Sequence, residues 1–150
     1  MPISFEKDGR WNGSVWPDPS MTPRSEVGML TLIEDALDSF LVEDDGQPVV
    51  MLNLLRFQED GGRERYADYL TVATPIVARF GAEIVYVGNG LPALSAEPGQ
   101  AWDALALVRY PNRGAFADLA MDADYRNKAA PMREAALAEA VLQPFQTASS

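Results

Sequence analysis

The stretch that decides the fold is Pro48-Val-Val-Met-Leu-Asn-Leu-Leu-Arg-Phe57. Successive side chains of a β-strand point to opposite faces, and here both faces are apolar. One face carries Val49, Met51, Leu55 and Phe57, and the other carries Val50, Leu52 and Leu54. Asn53 and Arg56 are the polar interruptions, and a regular strand points them to opposite faces. Because a strand with one wet face alternates apolar with polar residues, this strand is predicted to be covered on both faces.

The composition narrows the chemistry available to the chain. A length of 150 residues fits one domain with a sizeable core, and a formal net charge of -10 argues against a nucleic-acid partner. The sequence has no cysteine and no histidine, so it lacks thiolates, disulfides and the commonest side chain for metal, haem and general-base roles. We therefore predict that no metal and no cofactor takes part.

The sequence shows no targeting signal. No apolar run approaches the roughly 20 residues of a membrane-spanning helix. The first residues, Met-Pro-Ile-Ser-Phe-Glu-Lys-Asp, lack the apolar core of a secretion signal. We therefore expect a cytoplasmic protein with no membrane partner.

Residues 1–45 are predicted to form an N-terminal arm and a helix that pack on the main domain. The arm, residues 1–24, is rich in proline and also carries large apolar side chains. These side chains could cover an exposed part of the core, or they could reach a partner subunit or roof a pocket. They are Phe5, Trp11, Val15 and Trp16. The helix is predicted over about 31–41, because Thr31 and Glu34 fit a capping box ahead of an apolar stripe.

The main domain, residues 46–146, is predicted to alternate strands with helices. Apolar residues at helical spacing indicate a helix over 63–80, which Pro75 should bend and Gly81 should end. Strands are also predicted over 82–87, 101–110 and 141–145, and helical segments over 112–121 and 123–139, the last interrupted at Pro131. A long connection, 88–99, joins the second strand to the third.

The order of these elements specifies an α+β architecture. Two successive strand–helix–strand units with right-handed crossovers give a ferredoxin-like βαββαβ antiparallel sheet with helices on one face. Its central strands would be 48–57 and 101–110. The second face of the sheet is apolar as well, and a bare apolar face of that size would promote aggregation. We therefore predict a homodimer in which two sheets face each other, forming a dimeric α/β barrel.

Several short stretches also resemble a known family. They are Val50-Met-Leu-Asn-Leu-Leu-Arg-Phe57, Tyr66-Ala-Asp-Tyr69, Phe80-Gly81, Trp102-Asp103, Arg109-Tyr-Pro111, Ala115-Phe116, Asp124-Tyr125 and Met132-Arg133. In combination, over residues 46–145, they resemble the domain of unknown function 1330 family of the dimeric α/β-barrel superfamily. The resemblance implies a ferredoxin-like dimer without an established biochemical role. Relatives in the superfamily include cofactor-free monooxygenases, lactone isomerases and haem-dependent enzymes, and the missing histidine disfavours haem.

Asp103 and Arg133 are the candidate catalytic residues. Asp103 lies on the third predicted strand, where a buried carboxylate needs a partner, and Arg133, Arg56 or Arg109 could supply it. In the catalytic interpretation, Asp103 is a general base and an arginine grips a carboxylate or enolate oxygen of the substrate. In the structural interpretation, the same groups form a salt bridge between the sheet and the helices.

A second set of residues is predicted to bind a small organic ligand. Asn53 interrupts an apolar strand, so its amide needs hydrogen bonds from neighbouring backbone or from a ligand. Tyrosines carry a polar tip on an apolar body, which suits a pocket for carboxylate, phenolic or carbonyl compounds. The set comprises Asn53, Arg56, Tyr66, Tyr69, Arg109 and Tyr125. The sequence thus predicts a dimer that binds or transforms such a molecule; a non-catalytic ligand-binding protein or a purely structural dimer is the alternative.

Overall fold

The computed structural model of the chain describes residues 35–148. The helix predicted near the N-terminus is present there as a helical segment, α1, over residues 35–42. Its capping box and the aromatic residues of the arm lie outside the described residues. The division of the chain into an arm with its helix and a main domain therefore stays a prediction.

The described chain continues with alternating strands and helices. The strands are β1 (Val49–Phe57), β2 (Glu83–Asn89), β3 (Ala104–Tyr110) and β4 (Leu137–Phe145), and the helices are α2 (Gly62–Ala78), α3 (Arg113–Met121) and α4 (Ala130–Ala136). A π-helical turn, Tyr125–Ala129, leads into α4. Between residues 35 and 148, no helix combines the length and the apolar character needed to cross a bilayer.

Caps and turns bound the helices close to the predicted positions. The side-chain oxygen Oδ1 of Asn112 accepts the Ala115 N–H at 2.8 Å and opens α3. After α2, Gly81 has a φ of 78°, a left-handed conformation that glycine adopts without a steric penalty. Pro75 lies inside α2, as predicted, and the helix continues to Ala78.

The strands form one antiparallel sheet in the order β2-β3-β1-β4. This order confirms the predicted ferredoxin-like fold, and it places β1 and β3 at the centre of the sheet. In the middle of β1, Asn53 pairs with Ala106 of β3 and with Leu142 of β4. Because directly paired residues point to the same face, the register sorts the side chains of all strands into two sets.

One face of the sheet, here named the helix face, carries the core. Every second residue of β1 from Val49 to Leu55 is buried, and these two end residues are only 1% and 0% exposed. On β3, Ala104 and Ala106 are buried beside them, and their small side chains let the helices pack closely. Burial of one large aliphatic side chain contributes about 1.5–3 kcal/mol, so this alternation is a main source of the stability of the fold.

The opposite face, here named the open face, is apolar but only partly buried. Its outer side chains Tyr86 and Phe145 are 53% and 47% exposed. The central side chains are intermediate in exposure: Val50, Leu52, Leu54, Leu105, Leu107 and Val141. On β1, Val50, Leu52 and Leu54 are all more exposed than their buried neighbours on the helix face. The prediction that β1 is covered on both faces holds for the helix face, whereas the described chain covers the open face only in part. Cover of the open face by a second copy stays a prediction.

The last strand is longer than predicted, and the preceding helix is shorter. The prediction extended a helical segment to residue 139 and began the strand at 141, but α4 ends at Ala136 and β4 begins at Leu137. The misplaced residues, Leu-Ala-Glu-Ala, are good helix formers. Pairing with the end of β1 overrides this local preference, because β1 offers backbone donors and acceptors that need partners.

Candidate functional site

Five of the predicted site residues meet between the helix face and the helices. They are Asn53 on β1, Tyr66 and Tyr69 on α2, Tyr125 in the π-helical turn and Arg133 on α4. Tyr110 of β3 joins them, since its hydroxyl lies close enough to Arg133 and Tyr125 to be influenced by their charges. These six residues are named the Arg133 cluster below.

Asn53 anchors the cluster to the sheet. Its side chain is buried, with 7% exposure, so each polar atom needs a partner. The Nδ2 group lies 3.4 Å from Met51 O and 3.4 Å from Ala106 O, while Oδ1 accepts from Arg133 Nη2 at 3.1 Å. The Asn53 amide therefore bonds to neighbouring backbone and to Arg133, and its predicted contact with a ligand stays a prediction.

Arg133 supplies the positive charge of the cluster. It projects from α4, a short helix that Pro131 opens in its first turn, and its side chain is partly buried. The predicted ion pair between Arg133 and Asp103 does not form: the partner of the guanidinium is the neutral amide of Asn53. The salt bridges found among residues 35–148 involve side chains other than Arg133 and Asp103. Arg133 is thus a partly buried cation without a carboxylate in the described chain.

The tyrosines form a continuous aromatic wall. The ring centroids of Tyr66 and Tyr69 are 5.1 Å apart, and Phe57 extends the row at 5.7 Å from Tyr66. At the other end, the Tyr69 and Tyr125 hydroxyls share a hydrogen bond of 2.8 Å, in which either oxygen can donate. Tyr66 and Tyr69 are buried, whereas Tyr125 is partly exposed. The wall therefore reaches solvent at Tyr125.

Burial raises the pKa of three of these phenols. It raises the pKa of Tyr66, Tyr69 and Tyr110 above the ordinary value of 10.0, and the rise is large for Tyr69. The nearby Arg133 guanidinium acts in the opposite direction on each pKa, because it favours a phenolate, but burial is the stronger cause. The cluster thus combines one cation with neutral hydroxyl donors.

Asp103 lies just before β3, and its hydrogen bonds go to main-chain groups. Its Oδ2 accepts the Phe57 N–H at 2.9 Å, its own N–H donates to Leu55 O at 2.9 Å, and its carbonyl accepts the Gly90 N–H at 2.7 Å. The two backbone bonds continue the hydrogen bonding of β3 with β1 and with β2 beyond the first residue of β3. The contacts of Asp103 therefore indicate that it fixes the backbone at the ends of β1, β2 and β3. Its role as a general base stays a prediction.

Arg56 and Arg109 lie on the open face, away from the Arg133 cluster. The guanidinium of Arg56 stacks on the Trp102 ring at 4.2 Å, pairs with Glu139 at 3.1 Å and donates to the carbonyls of Gly99 and Ala101. It thereby holds the connection between β2 and β3 against the sheet. Arg109 is exposed and pairs in register with Val50. The structure does not bring either arginine together with the other predicted site residues.

Tyr110 is the cluster residue that the predicted site set omitted. The strand alternation did carry a signal for it, because Tyr110 shares its face of β3 with the small residues Ala104 and Ala106. This face of β3 begins with two small residues and ends with a large aromatic one, so the space between the sheet and the helices must widen toward Tyr110. That signal identifies the face but not the neighbours, which come from other elements.

Two of the cavities in the described chain lie away from the Arg133 cluster. One, of about 230 Å³, lies beside Leu54, Tyr86 and Trp102 on the open face. The other, of about 160 Å³, lies between Phe40, Arg113 and Phe145. A ligand of the cluster would therefore approach from the solvent side of Tyr125 and Arg133, which are its partly exposed members.

Solved structures similar to this chain have the same fold and no assigned function. The RPA0582 protein of unknown function from Rhodopseudomonas palustris is 27% identical, with 78% of this chain and 95% of that chain covered and a TM-score of 0.69. The methylated RPA0582 protein is 28% identical, with 77% and 92% covered and a TM-score of 0.69. A dimeric ferredoxin-like protein of unknown function from Jannaschia sp. CCS1 is 10% identical, with 67% and 99% covered and a TM-score of 0.53.

These similarities support the ferredoxin-like fold of the chain. No protein-family model matches the chain, and no curated protein matches its sequence. The resemblance to the domain of unknown function 1330 family is therefore supported at the level of the fold. The dimeric state belongs to the Jannaschia protein, which at 10% identity informs only on the fold of this chain.

Proposed function

We propose that this protein binds a small organic molecule at the Arg133 cluster, without a metal, through an oxygen that carries negative or carbonyl character. The observation that carries the proposal is the environment of Arg133, a partly buried guanidinium whose partner is the neutral amide of Asn53. A cation withdrawn from water is destabilised unless an opposite charge or good acceptors replace its hydration. A carboxylate, phenol or carbonyl compound would supply that acceptor.

The surroundings of Arg133 support such a ligand in two ways. The hydroxyl pair of Tyr69 and Tyr125 shares one hydrogen bond, so the second proton of the pair can be donated to a ligand oxygen. The partly exposed ring of Tyr125, at the end of the aromatic wall, offers an apolar surface to the remainder of the molecule. Ligand sites commonly combine an apolar lining with a few convergent polar groups, and the Arg133 cluster has this composition.

Catalysis by Asp103 and Arg133 is the second candidate function. It would require a substrate held by Arg133 to pass a proton to the Asp103 carboxylate, as in an isomerase-like or cofactor-free oxygenase-like step. Asp103 accepts the Phe57 N–H and lies outside the Arg133 cluster. We therefore favour binding. The substitution Asp103→Asn separates the two functions, because it should abolish turnover of a bound compound but preserve its affinity.

We further propose that two copies of the chain pair through their open faces, and that the chain belongs to the domain of unknown function 1330 family. The partly exposed aliphatic residues at the centre of the open face support the pairing, since monomers rarely expose such a continuous patch. A purely structural dimer would have this pairing without a ligand. Sedimentation equilibrium at micromolar concentration should give twice the chain mass of 16.4 kDa. The mass of a single chain at all concentrations would contradict the pairing.

Thermal unfolding of the full chain with three probes tests the binding function. Benzoate, phenol and cyclohexanone, each at millimolar concentration, represent the carboxylate, phenolic and carbonyl classes. A bound ligand stabilises by mass action, by about 2.7 kcal/mol at 100 times its dissociation constant. We expect at least one probe to raise the unfolding temperature, with the effect lost in Arg133→Met.

The matched control is Arg126→Met. Arg126 is exposed and precedes Arg133 on the same stretch of chain, so its substitution removes the same charge without touching the cluster contacts described above. The control should retain the response to the active probe. No stabilisation by any probe would favour the purely structural dimer, and a response that survives Arg133→Met would place the binding site elsewhere.

A further inference from the structure

We infer that the ligand of the Arg133 cluster is a monocarboxylate with a flat apolar body, of the benzoate type. This inference rests on the proposed binding function and selects one class among carboxylates, phenols and carbonyl compounds. Three properties of the cluster carry it: the number of its charges, the orientation of its guanidinium and the arrangement of its rings.

The charge of the site matches one negative charge. Arg133 is the one basic residue of the Arg133 cluster, and the cluster contains no carboxylate residue. A second negative charge on the ligand would enter the same partly buried site without a partner. The chain as a whole carries a formal charge of -10, which repels polyanions more strongly than monoanions. Phosphate esters and dicarboxylates therefore fit the site less well than a monocarboxylate.

The guanidinium is held in a fixed orientation by the Asn53 amide. Arg133 donates from Nη2 to Asn53 Oδ1, and Asn53 is itself fixed by Met51 O and Ala106 O on the sheet. The Arg133 side chain is partly exposed, so a ligand can approach it from solvent. A planar guanidinium matches the two oxygens of a carboxylate better than the single oxygen of a phenol or ketone.

The rings of the cluster favour a flat body behind the carboxylate. Phe57, Tyr66 and Tyr69 follow one another with ring centroids 5.7 and 5.1 Å apart, and Tyr125 adds an edge-on ring 6.4 Å from Tyr69. Tyr66 and Tyr69 are buried, so a flat ligand ring would pack by offset or edge-to-face contact against Tyr125, the partly exposed ring at the end of the row. The Tyr69–Tyr125 hydrogen bond uses one of two hydroxyl protons, so the other can reach a ligand oxygen.

An NMR titration of the isotope-labelled full chain tests the ligand class directly. The probes are benzoate, benzamide (the same shape without charge), phthalate (a second carboxylate) and cyclohexanecarboxylate (the same charge without a flat ring). Backbone amides of Asn53 and Ala106 report on the site. We expect benzoate to bind at least about tenfold more tightly than benzamide and phthalate, and more tightly than cyclohexanecarboxylate.

Two variants of Arg133 complete the experiment. Arg133→Lys keeps the charge but removes the planar donor pair, so benzoate affinity should fall while binding stays measurable. Arg133→Met should lose benzoate binding; if this variant does not fold, the wild-type series and Arg133→Lys decide the question. Arg126→Met should bind benzoate like the wild type.

The outcomes separate the ligand class from the binding function. Equal affinity for benzoate and benzamide, with both lost in Arg133→Met, would overturn the monocarboxylate and leave the site in place. Tighter binding of phthalate than of benzoate would also overturn the monocarboxylate alone. If no probe perturbs the amides of Asn53 and Ala106, or if benzoate affinity is unchanged in Arg133→Met, the inference and the proposed binding function both fail.

Discussion

The helix face and the open face of the sheet are built from alternate residues of the same strands, yet they differ in burial and in polar content. On the helix face, Leu55 is fully buried and the polar Asn53 is enclosed with its hydrogen bonds satisfied. On the open face, the neighbouring Leu54 is partly exposed and Arg56 lies at the margin, where it contacts a loop. One face is completed by the chain itself, and the other has the composition of a surface that a partner completes.

This difference assigns folding stability, ligand binding and assembly to different parts of the molecule. The helix face supplies most of the free energy of folding, because its aliphatic residues are removed from water within one chain. The Arg133 cluster lies between that face and the helices, so ligand binding should not depend on contacts across the open face. The open face should therefore govern assembly alone. Substitutions on the two faces should then have effects of different kinds.

The largest effect is expected from a charge placed on the open face. Leu107→Asp puts a carboxylate from each chain into the proposed interface, where each loses its hydration at a cost of several kcal/mol. We expect the dimer dissociation constant, measured by sedimentation equilibrium, to rise by about 100-fold or more while the circular dichroism spectrum is retained. Thr71→Asp, at an exposed position of α2, is the control and should leave the dimer intact. An unchanged dimer in Leu107→Asp would place the interface elsewhere.

The next largest effect is expected from shortening a leucine on the helix face. Leu55→Ala removes a fully buried side chain and leaves a cavity, so the free energy of unfolding should fall by about 2–5 kcal/mol. Leu54→Ala, one residue away on the open face, should cost much less in a monomer. Urea unfolding in a Leu107→Asp background compares the two without a contribution from dimerisation. Equal losses would mean that the open face is buried within a single chain.

The comparison of the faces also shows what could be predicted from the sequence. The alternation in β1 predicts that Asn53 and Arg56 lie on opposite faces, because the period of a strand is fixed by backbone geometry. The order of elements predicts the sheet, because few topologies satisfy short right-handed connections. The start of β4 was wrong by several residues, since pairing with β1 outweighs the helical preference of residues 137–140.

The partners of individual polar side chains could not be predicted in the same way. Arg133 bonds to Asn53, which lies 80 positions away in the sequence, and Asp103 bonds to a backbone N–H of Phe57. Both contacts depend on how α4 and β3 pack against β1. The local periodicity of the sequence does not contain this information. Residue types therefore identified five members of the Arg133 cluster, and only the three-dimensional structure identified which of these residues form hydrogen bonds with each other.

A smaller effect is expected when the pH rises above 10. The pKa of Tyr66, Tyr69 and Tyr110 is raised in the folded state, so above pH 10.0 the unfolded chain releases phenolic protons that the folded chain keeps. The folded state then binds more protons, and the free energy of unfolding falls with pH by about 1.4 kcal/mol per pH unit for each such group. Below pH 10 the phenols are protonated in both states, so the buried tyrosines contribute their full stabilisation there. Urea unfolding between pH 8 and 11 measures the slope.

The tyrosines should dominate this alkaline transition. The sequence has no cysteine, and its lysines are Lys7 and Lys128, so few other groups release protons in the same range. Tyr69→Phe removes one of the buried phenols and should make the pH dependence shallower, although it also removes the hydrogen bond to Tyr125. A stability that stays constant from pH 9 to 11 would show that these hydroxyls are not held in a buried environment.

The smallest effect is expected from Arg56, on the open face. Arg56→Met removes a partly exposed ion pair with Glu139, the hydrogen bonds to Gly99 and Ala101, and the stacking on Trp102. A surface pair contributes about 0–1 kcal/mol, so the loss of global stability should be near 1 kcal/mol.

The more sensitive measurement for Arg56→Met is amide hydrogen exchange along residues 90–103. Arg56 connects β1 to this segment, so its removal should speed exchange there before it changes exchange in the helix-face strands. Arg109→Met removes the same charge from an exposed position of the open face and should leave exchange in the segment unchanged. If both variants exchange like the wild type, the segment is held by its own turns and by Asp103, whose carbonyl accepts the Gly90 N–H, and Arg56 only stacks on its surface.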